Sequence, residues 1–144
     1  MAFRGHYEHS LDAKHRLSIP AKYRAAYSSG LVLAKDTDAC ISVWTPQEHE
    51  AAVAEALAGM NRFSNQVKQL RRWHDANSFE TELDSSGRVT LPRQLLLHAG
   101  VEKDVVVAGV GDHAEIWGRE RWEEEQRQLD ATIGEVTQAL GNLA

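Results

Sequence analysis

The chain repeats itself. Asp12-Ala-Lys-His-Arg16-Leu-Ser-Ile-Pro20 and Asp84-Ser-Ser-Gly-Arg88-Val-Thr-Leu-Pro92 share Asp, Arg, an alternating tail and Pro at a single offset of 72 residues. The match extends outward: Tyr7 falls opposite Phe79 and Leu11 opposite Leu83, and Ser42-Val-Trp44 falls opposite Glu115-Ile-Trp117 after a one-residue shift. Two like units in 144 residues leave room for little else, so the fold must be one that a duplicated half-length motif can build. The units span residues 1–60 and 77–144, with residues 61–76 between them as a bridging helix.

Each unit has the same grammar. Apolar and polar residues alternate before the Asp and again after the Arg, which predicts two strands joined by a tight loop. In that loop the Asp side chain accepts backbone hydrogen bonds, and Gly87 takes a positive φ without a steric penalty. Pro20 and Pro92 open short helices over 20–27 and 92–99, the second stopped by Gly100. A strand pair follows each helix, 31–35 with 41–44 and 105–108 with 114–117. Thr45-Pro46-Gln47-Glu48 starts a helix running to Gly59 with a capping box and Pro at its first position. A bridging helix over 64–73 places Val67, Leu70 and Trp73 on one face. The C-terminal segment spaces Trp122, Leu129, Ile133, Val136 and Leu140 as an amphipathic helix, whose stripe is expected to pack on the barrel or on a neighbouring subunit.

Charge is distributed unevenly. The formal net charge is -5, yet residues 1–35 hold six Lys or Arg against two acids, and residues 61–100 hold six against four. Residues 36–60 carry five acids and no base, and residues 101–144 carry ten acids against four bases. This pattern implies one basic face on an acidic body. The start MAFRGHYEHSLDAKHR lacks the apolar stretch of a signal peptide, no run approaches a membrane span, and Cys40 is single, so a cytoplasmic, membrane-free protein is expected.

The start Phe3-Arg4-Gly5, the twin motifs DAKHRLSIP and DSSGRVTLP, and Ala114-Glu-Ile-Trp117 together resemble the MraZ family. That resemblance covers nearly the whole chain. It implies an α+β fold, a double-split (swapped-hairpin) β-barrel of the AbrB kind, built from two pseudo-symmetric repeats with peripheral helices. The AbrB regulators assemble this barrel from two chains; the MraZ family carries both halves in one. The resemblance further implies a ring-shaped homo-oligomer that binds short direct repeats in double-stranded DNA upstream of its own gene. In that role it regulates the division and cell-wall cluster, usually as a repressor, and associates with the nucleoid.

Carried over residue by residue, the DNA-contacting motif falls on Asp12 to Arg16 and Asp84 to Arg88. Arg16 and Arg88 are expected to make the principal contacts, because a guanidinium fork pairs with guanine O6 and N7 or clamps a phosphate. Lys14 faces Ser86 in the second copy, so the first loop carries more of the electrostatics. Arg24 matches a basic position of AbrB-type relatives, but its own counterpart is Leu96. Asp12, Pro20, Asp84, Gly87 and Pro92 are structural parts of the motif. One departure stands out: His15 occupies a place that is commonly Gly. Either the loop adopts a conformation His holds, or His15 adds a contact that weakens as pH rises past ~6.5.

Other readings of the same residues carry less weight. From spacing alone, the Asp and Arg of each motif are loop salt bridges. His6, His9 and His15 do not form a metal-ligand pattern, since positions three apart on a strand face opposite ways. Gly109-Val-Gly111-Asp-His-Ala114 fits a dinucleotide fingerprint formally, but a strand follows it where a helix should open. No catalytic residue, cofactor, metal or small-molecule substrate is therefore expected. The alternative is a non-enzymatic structural or protein-interaction oligomer acting through its acidic helices.

Overall fold

The computed structural model of the protein describes residues 2–141. Eight strands and five helices alternate: β1 (His6–Ser10), β2 (Arg16–Ser18), α1 (Ala21–Arg24), β3 (Leu31–Lys35), β4 (Ile41–Trp44) and α2 (Pro46–Leu57) come first. After them come α3 (Asn65–Ala76), β5 (Ser78–Thr81), β6 (Arg88–Thr90), α4 (Arg93–Ala99), β7 (Asp104–Gly109), β8 (Ala114–Gly118) and α5 (Arg119–Gly141). All strand pairings are antiparallel, in a six-stranded sheet of order β1-β7-β8-β4-β3-β5 and a two-stranded ribbon of β2 with β6.

The arms of each predicted strand–loop–strand do not pair with one another. β1 pairs with β7 of the second repeat, and β5 pairs with β3 of the first. The registers are equivalent, Tyr7 opposite Val107 and Phe79 opposite Leu33. The pseudo-twofold axis passes between equivalent residues: Leu17 faces Val89 in the ribbon, and Ser42 faces Glu115 in the large sheet. This is the split, swapped arrangement that the resemblance implies, and it explains why the motif occurs twice.

The core lies between the sheet, the ribbon and the short helices. Leu17, Ile19, Val89 and Leu91 meet Leu33, Ile41, Val43, Val105, Val107 and Ile116, all nearly inaccessible to solvent. Burying each such side chain contributes about 1.5–3 kcal/mol. Val32 and Val106 are also buried, though on the other face of the sheet, where α2 contacts β3 and α5 contacts β7. With both faces covered, these strands read as unbroken apolar runs instead of alternating ones.

Tyr23 and Tyr27 are fully buried, and the Tyr27 hydroxyl donates to the Val43 carbonyl at 2.8 Å. The expected helix over 20–27 is only one turn long: Ala26 N and Tyr27 N donate to carbonyls three residues back, a tighter winding that turns both tyrosines inward. Phe3 is buried against them, with ring centroids at 5.1 and 5.2 Å. It reaches that place by pairing with Gly111, and a Cβ on Gly109 would lie 2.3 Å from Arg4 N. The glycines of the formal dinucleotide fingerprint therefore serve a hairpin and a close crossing of the N-terminal segment.

The outer helices depart further from expectation. Thr45 caps α2 as predicted, accepting from Glu48 N at 3.2 Å, but the helix stops at Leu57 as Ala58 turns out with ψ 130. Ser64 caps α3, which continues to Ala76, and Leu70 is exposed although Val67 on the same helix is buried. Along α5 only the first turns touch the body, where Trp122 sits 6.1 Å from Trp117 and 5.6 Å from His6 between ring centroids. Leu129, Ile133, Val136 and Leu140 are exposed, so the barrel of the same chain does not cover the stripe.

Candidate functional site

The two motif loops are near copies in atomic detail. In the first, Asp12 Oδ1 accepts from the backbone N–H of Lys14 and of Arg16, both at 2.9 Å. Arg16 Nε donates to Asp12 Oδ2 at 2.7 Å. In the second, Asp84 Oδ1 accepts from Ser86 N and Arg88 N, again at 2.9 Å, and Arg88 Nε donates to Asp84 Oδ2 at 3.0 Å. Each carboxylate thus closes the loop with one oxygen and orients the arginine with the other. Because Nε alone makes the hydrogen bond in each loop, the terminal nitrogens of each guanidinium keep donors to spare.

Backbone donors hold both carboxyls below the usual carboxylate range, led by the N–H of Arg16 for Asp12 and of Arg88 for Asp84, with the arginine side chains adding to the effect. The Asp–Arg pairs that spacing alone would make ordinary salt bridges do exist, and the same contacts set the direction of each arginine.

The loops lie side by side. Leu91 N donates to His15 O and Ile19 N to Gly87 O, each at 3.0 Å, and Arg88 Nη1 comes within 4.0 Å of Asp12 Oδ2. Arg16 and Arg88 flank the β2–β6 ribbon at its two ends, paired with Thr90 and Ser18 respectively. Their side chains are about a third exposed, 29% and 33%. Lys14 is exposed beside them.

His15 holds φ 57, the only positive φ of a non-glycine among the described residues, and its equivalent Gly87 holds φ 75. The first loop thus takes a left-handed conformation that His tolerates. Arg24 crosses between the repeats: its Nε donates to Ile19 O at 2.8 Å, and a Cβ on Gly87 would meet that Nε at 2.6 Å. The counterpart of Arg24, Leu96, is buried in the core. Pro20 and Pro92 begin the turns that close each motif, their carbonyls accepting from Tyr23 N and Leu95 N.

A second polar cluster has no signature in the spacing, because it draws on both repeats. Ligand atoms of Asp36, Cys40 and Glu115 lie within 4.8 Å of one another. Burial pushes the Cys40 thiol far above its ordinary range and raises Glu115. The carboxylates are already engaged, by Ser42 Oγ at 2.5 Å and by Trp117 Nε1 at 3.0 Å, so the group reads as a hydrogen-bonded joint between β4 and β8. His98 braces the same turn through the carbonyls of Asp36 and Asp38, at 2.8 and 2.9 Å. His6, His9 and His15 are not brought together.

A family model described as "MraZ protein, putative antitoxin-like" matches residues 2–72 and 76–140. The chain belongs to the MraZ family. It is similar to the transcriptional regulator MraZ of Symbiobacterium thermophilum, 36% identical over 137 residues that cover 95% of this chain and 99% of that protein. The transcriptional regulator MraZ of Caldanaerobacter subterraneus subsp. tengcongensis is 36% identical over 138 residues, covering 96% of each. That of Heliobacterium modesticaldum is 34% identical over 138 residues.

Proposed function

We propose that the protein is a sequence-specific DNA-binding transcriptional regulator, with Arg16 and Arg88 as its principal contacts. The observation that carries this reading is the pairing of two Asp-oriented arginines on one short ribbon. A two-stranded ribbon fits the major groove of B-DNA, where a guanidinium reads guanine O6 and N7. Lys14 and Arg24 add phosphate contacts beside it, and His15 shapes the first loop. Asp12, Asp84 and Gly87 position the loops without touching DNA.

The chain is acidic overall, so affinity comes from repetition of one local basic site. In a ring of identical subunits successive loop pairs meet successive direct repeats, and effective concentration multiplies weak contacts. Head-to-tail assembly favours repeats in one orientation, where a twofold dimer favours a palindrome. The target is the DNA upstream of the protein's own gene, at the head of the division and cell-wall cluster, and the effect is repression, in the cytoplasm at the nucleoid. The relatives named as transcriptional regulators support a regulatory role and no enzymatic one.

Fluorescence anisotropy on an upstream duplex and a scrambled one, from about 50 to 200 mM salt, tests the reading. Tight, sequence-dependent, salt-sensitive binding by a large oligomer is expected. Equal weak binding to both duplexes would reduce the loops to salt bridges and move attention to the exposed stripe of α5 as a protein-binding surface.

A further inference from the structure

The outer face of the β2–β6 ribbon holds four side chains, and the arginines are only two of them. Strand alternation sends Leu17 and Val89 into the core, where each is 1% exposed or less. Arg16 and Ser18 on β2, with Arg88 and Thr90 on β6, therefore share the opposite face, turned away from the core. Ser18 and Thr90 are equivalents at the same offset of 72 residues, so the hydroxyls repeat as regularly as the arginines do. The four include no acid, and the nearby Asp12 and Asp84 are engaged by the loop backbone and the arginine Nε atoms.

The register sets each arginine beside a hydroxyl of the other repeat: Arg16 is opposite Thr90, and Arg88 is opposite Ser18. Residues directly opposite in an antiparallel pair have Cβ atoms about 4.5–5.5 Å apart. Side chains that close reach neighbouring base pairs, whose spacing is about 3.4 Å. Thr90 is exposed and Ser18 half-buried. The hydroxyls of Ser10 and Ser42 donate to Asp104 and Asp36, whereas those of Ser18 and Thr90 make no side-chain hydrogen bond among the described residues. Both are free to meet a ligand laid on the ribbon.

The two corners differ by one methyl group. Thr90 carries a hydroxyl and a methyl on a β-branched side chain, whose stiff χ1 fixes the direction of both, and Ser18 carries a hydroxyl alone. A hydroxyl donates or accepts, so it suits several base edges and discriminates little by itself. A threonine methyl makes apolar contact with the C5 methyl of thymine, a group that no other DNA base presents in the major groove. The Arg16–Thr90 pair thus matches a guanine next to a thymine, and the Arg88–Ser18 pair matches a guanine next to any base.

We infer that Ser18 and Thr90 are specificity-determining residues of the ribbon: Thr90 reads a thymine methyl beside the guanine taken by Arg16, and Ser18 leaves the neighbour of the Arg88 guanine unspecified. The inference rests on the DNA-binding reading above and adds a second base to what the first arginine selects. It also makes the two halves of one binding site unequal in sequence, although the backbone that presents them is nearly symmetric.

Anisotropy competition with the full-length protein on the upstream duplex tests this. Each base beside a guanine is set in turn to dT and to dU, with its complement matched. The two differ only in the C5 methyl, so base pairing and the hydrogen-bonding edge are the same. At one such position the wild-type protein is expected to bind the dT duplex about fourfold more tightly, the worth of one methyl removed from water. Thr90→Ser should erase that ratio and Thr90→Val, which keeps a methyl, should preserve it. Ser18→Thr should create a second dT-preferring position. A wild-type protein indifferent to the methyl at every position overturns the inference, as does Thr90→Ser with the wild-type ratio, Thr90→Val without it, or Ser18→Thr with no second position. A ratio taken within one variant does not depend on how much of the protein is folded, so a residue serving only the strand would shift the melting temperature and leave the ratio alone. Where Thr90→Ser does not fold, Thr90→Ala removes the same methyl and carries the same test. Equal binding of the wild-type protein to upstream and scrambled duplexes would overturn the DNA-binding reading and this inference with it, whereas the outcomes above overturn this inference alone.

Discussion

At the tip of the first loop His15 holds φ 57, while Gly87 holds φ 75 at the tip of the second. Both loops are closed by an Asp making the same three hydrogen bonds, so the backbone turn is common property and the tip residue is where the copies diverge. The reason lies across the repeat boundary. Arg24 of the first repeat occupies the space a side chain at position 87 would need, and its counterpart Leu96 is buried in the core while His15 is exposed. Duplication thus preserves the internal geometry of a loop and leaves its surroundings free to change. With Lys14 set against Ser86, the first loop becomes the more basic of the two.

The strongest way to break this comparison is to remove each arginine. Arg16→Ala and Arg88→Ala should each weaken specific DNA binding by about 1–3 kcal/mol, or roughly 5- to 150-fold, with the melting temperature and oligomer mass unchanged. Anisotropy titrations decide it, and a variant that keeps wild-type affinity would show that the loops are not functional equivalents. Next in size is the tip itself. Gly87→Ala should cost about 1–3 kcal/mol in denaturant unfolding, through the left-handed backbone and the displaced Arg24, whereas His15→Ala should leave stability within about 0.5 kcal/mol. Equal losses at both positions would make Arg24 irrelevant to the asymmetry.

Smaller effects sharpen the electrostatic half. Lys14→Ser should lower the slope of log affinity against log salt by about 0.9, and Ser86→Lys should raise it by a similar amount. The last prediction concerns pH. Asp12 and Asp84 are held low, so their contribution to stability is complete above the unfolded carboxylate value of about 3.9 and is lost as pH falls through the folded value. Glu115 is raised by burial, which reverses the sign: its cost to folding is absent in acid and grows as pH rises from about 4.3. Glu115→Gln should therefore raise the melting temperature at pH 7 and lose that advantage below about pH 4. Thermal scans at both pH values check it.

The repeat made a plan of two like units readable from the sequence, because a shared Asp, Arg and Pro at one offset require equivalent places in space, while the swapped barrel was implied by the resemblance to the MraZ family. The motif residues were readable for the same reason. Pairing across the repeats was not, since alternation in β1 and β5 marks a strand and is silent about its neighbour. The short α1 also escaped, because Tyr23 and Tyr27 sit at helical spacing and only the packed core demands the tighter turn. Arg24 against Gly87, and the joint of Asp36, Cys40 and Glu115, depend on residues far apart in the chain that no local pattern links. Leu70 reads as buried by periodicity, and its exposure shows where α2 and α3 fail to close on each other.

The interleaving of β1 with β7 has a consequence for how the protein is made. His6 must wait for Ala108, about a hundred residues later in synthesis, before it finds its partner strand. At a ribosomal rate of about 5–20 residues per second, β1 stays unpaired for roughly 5 to 20 s, and β2 waits about 4 to 15 s for β6. During that interval the open edges of one nascent first repeat match those of another, so pairing between chains competes with closure of each chain on its own second repeat.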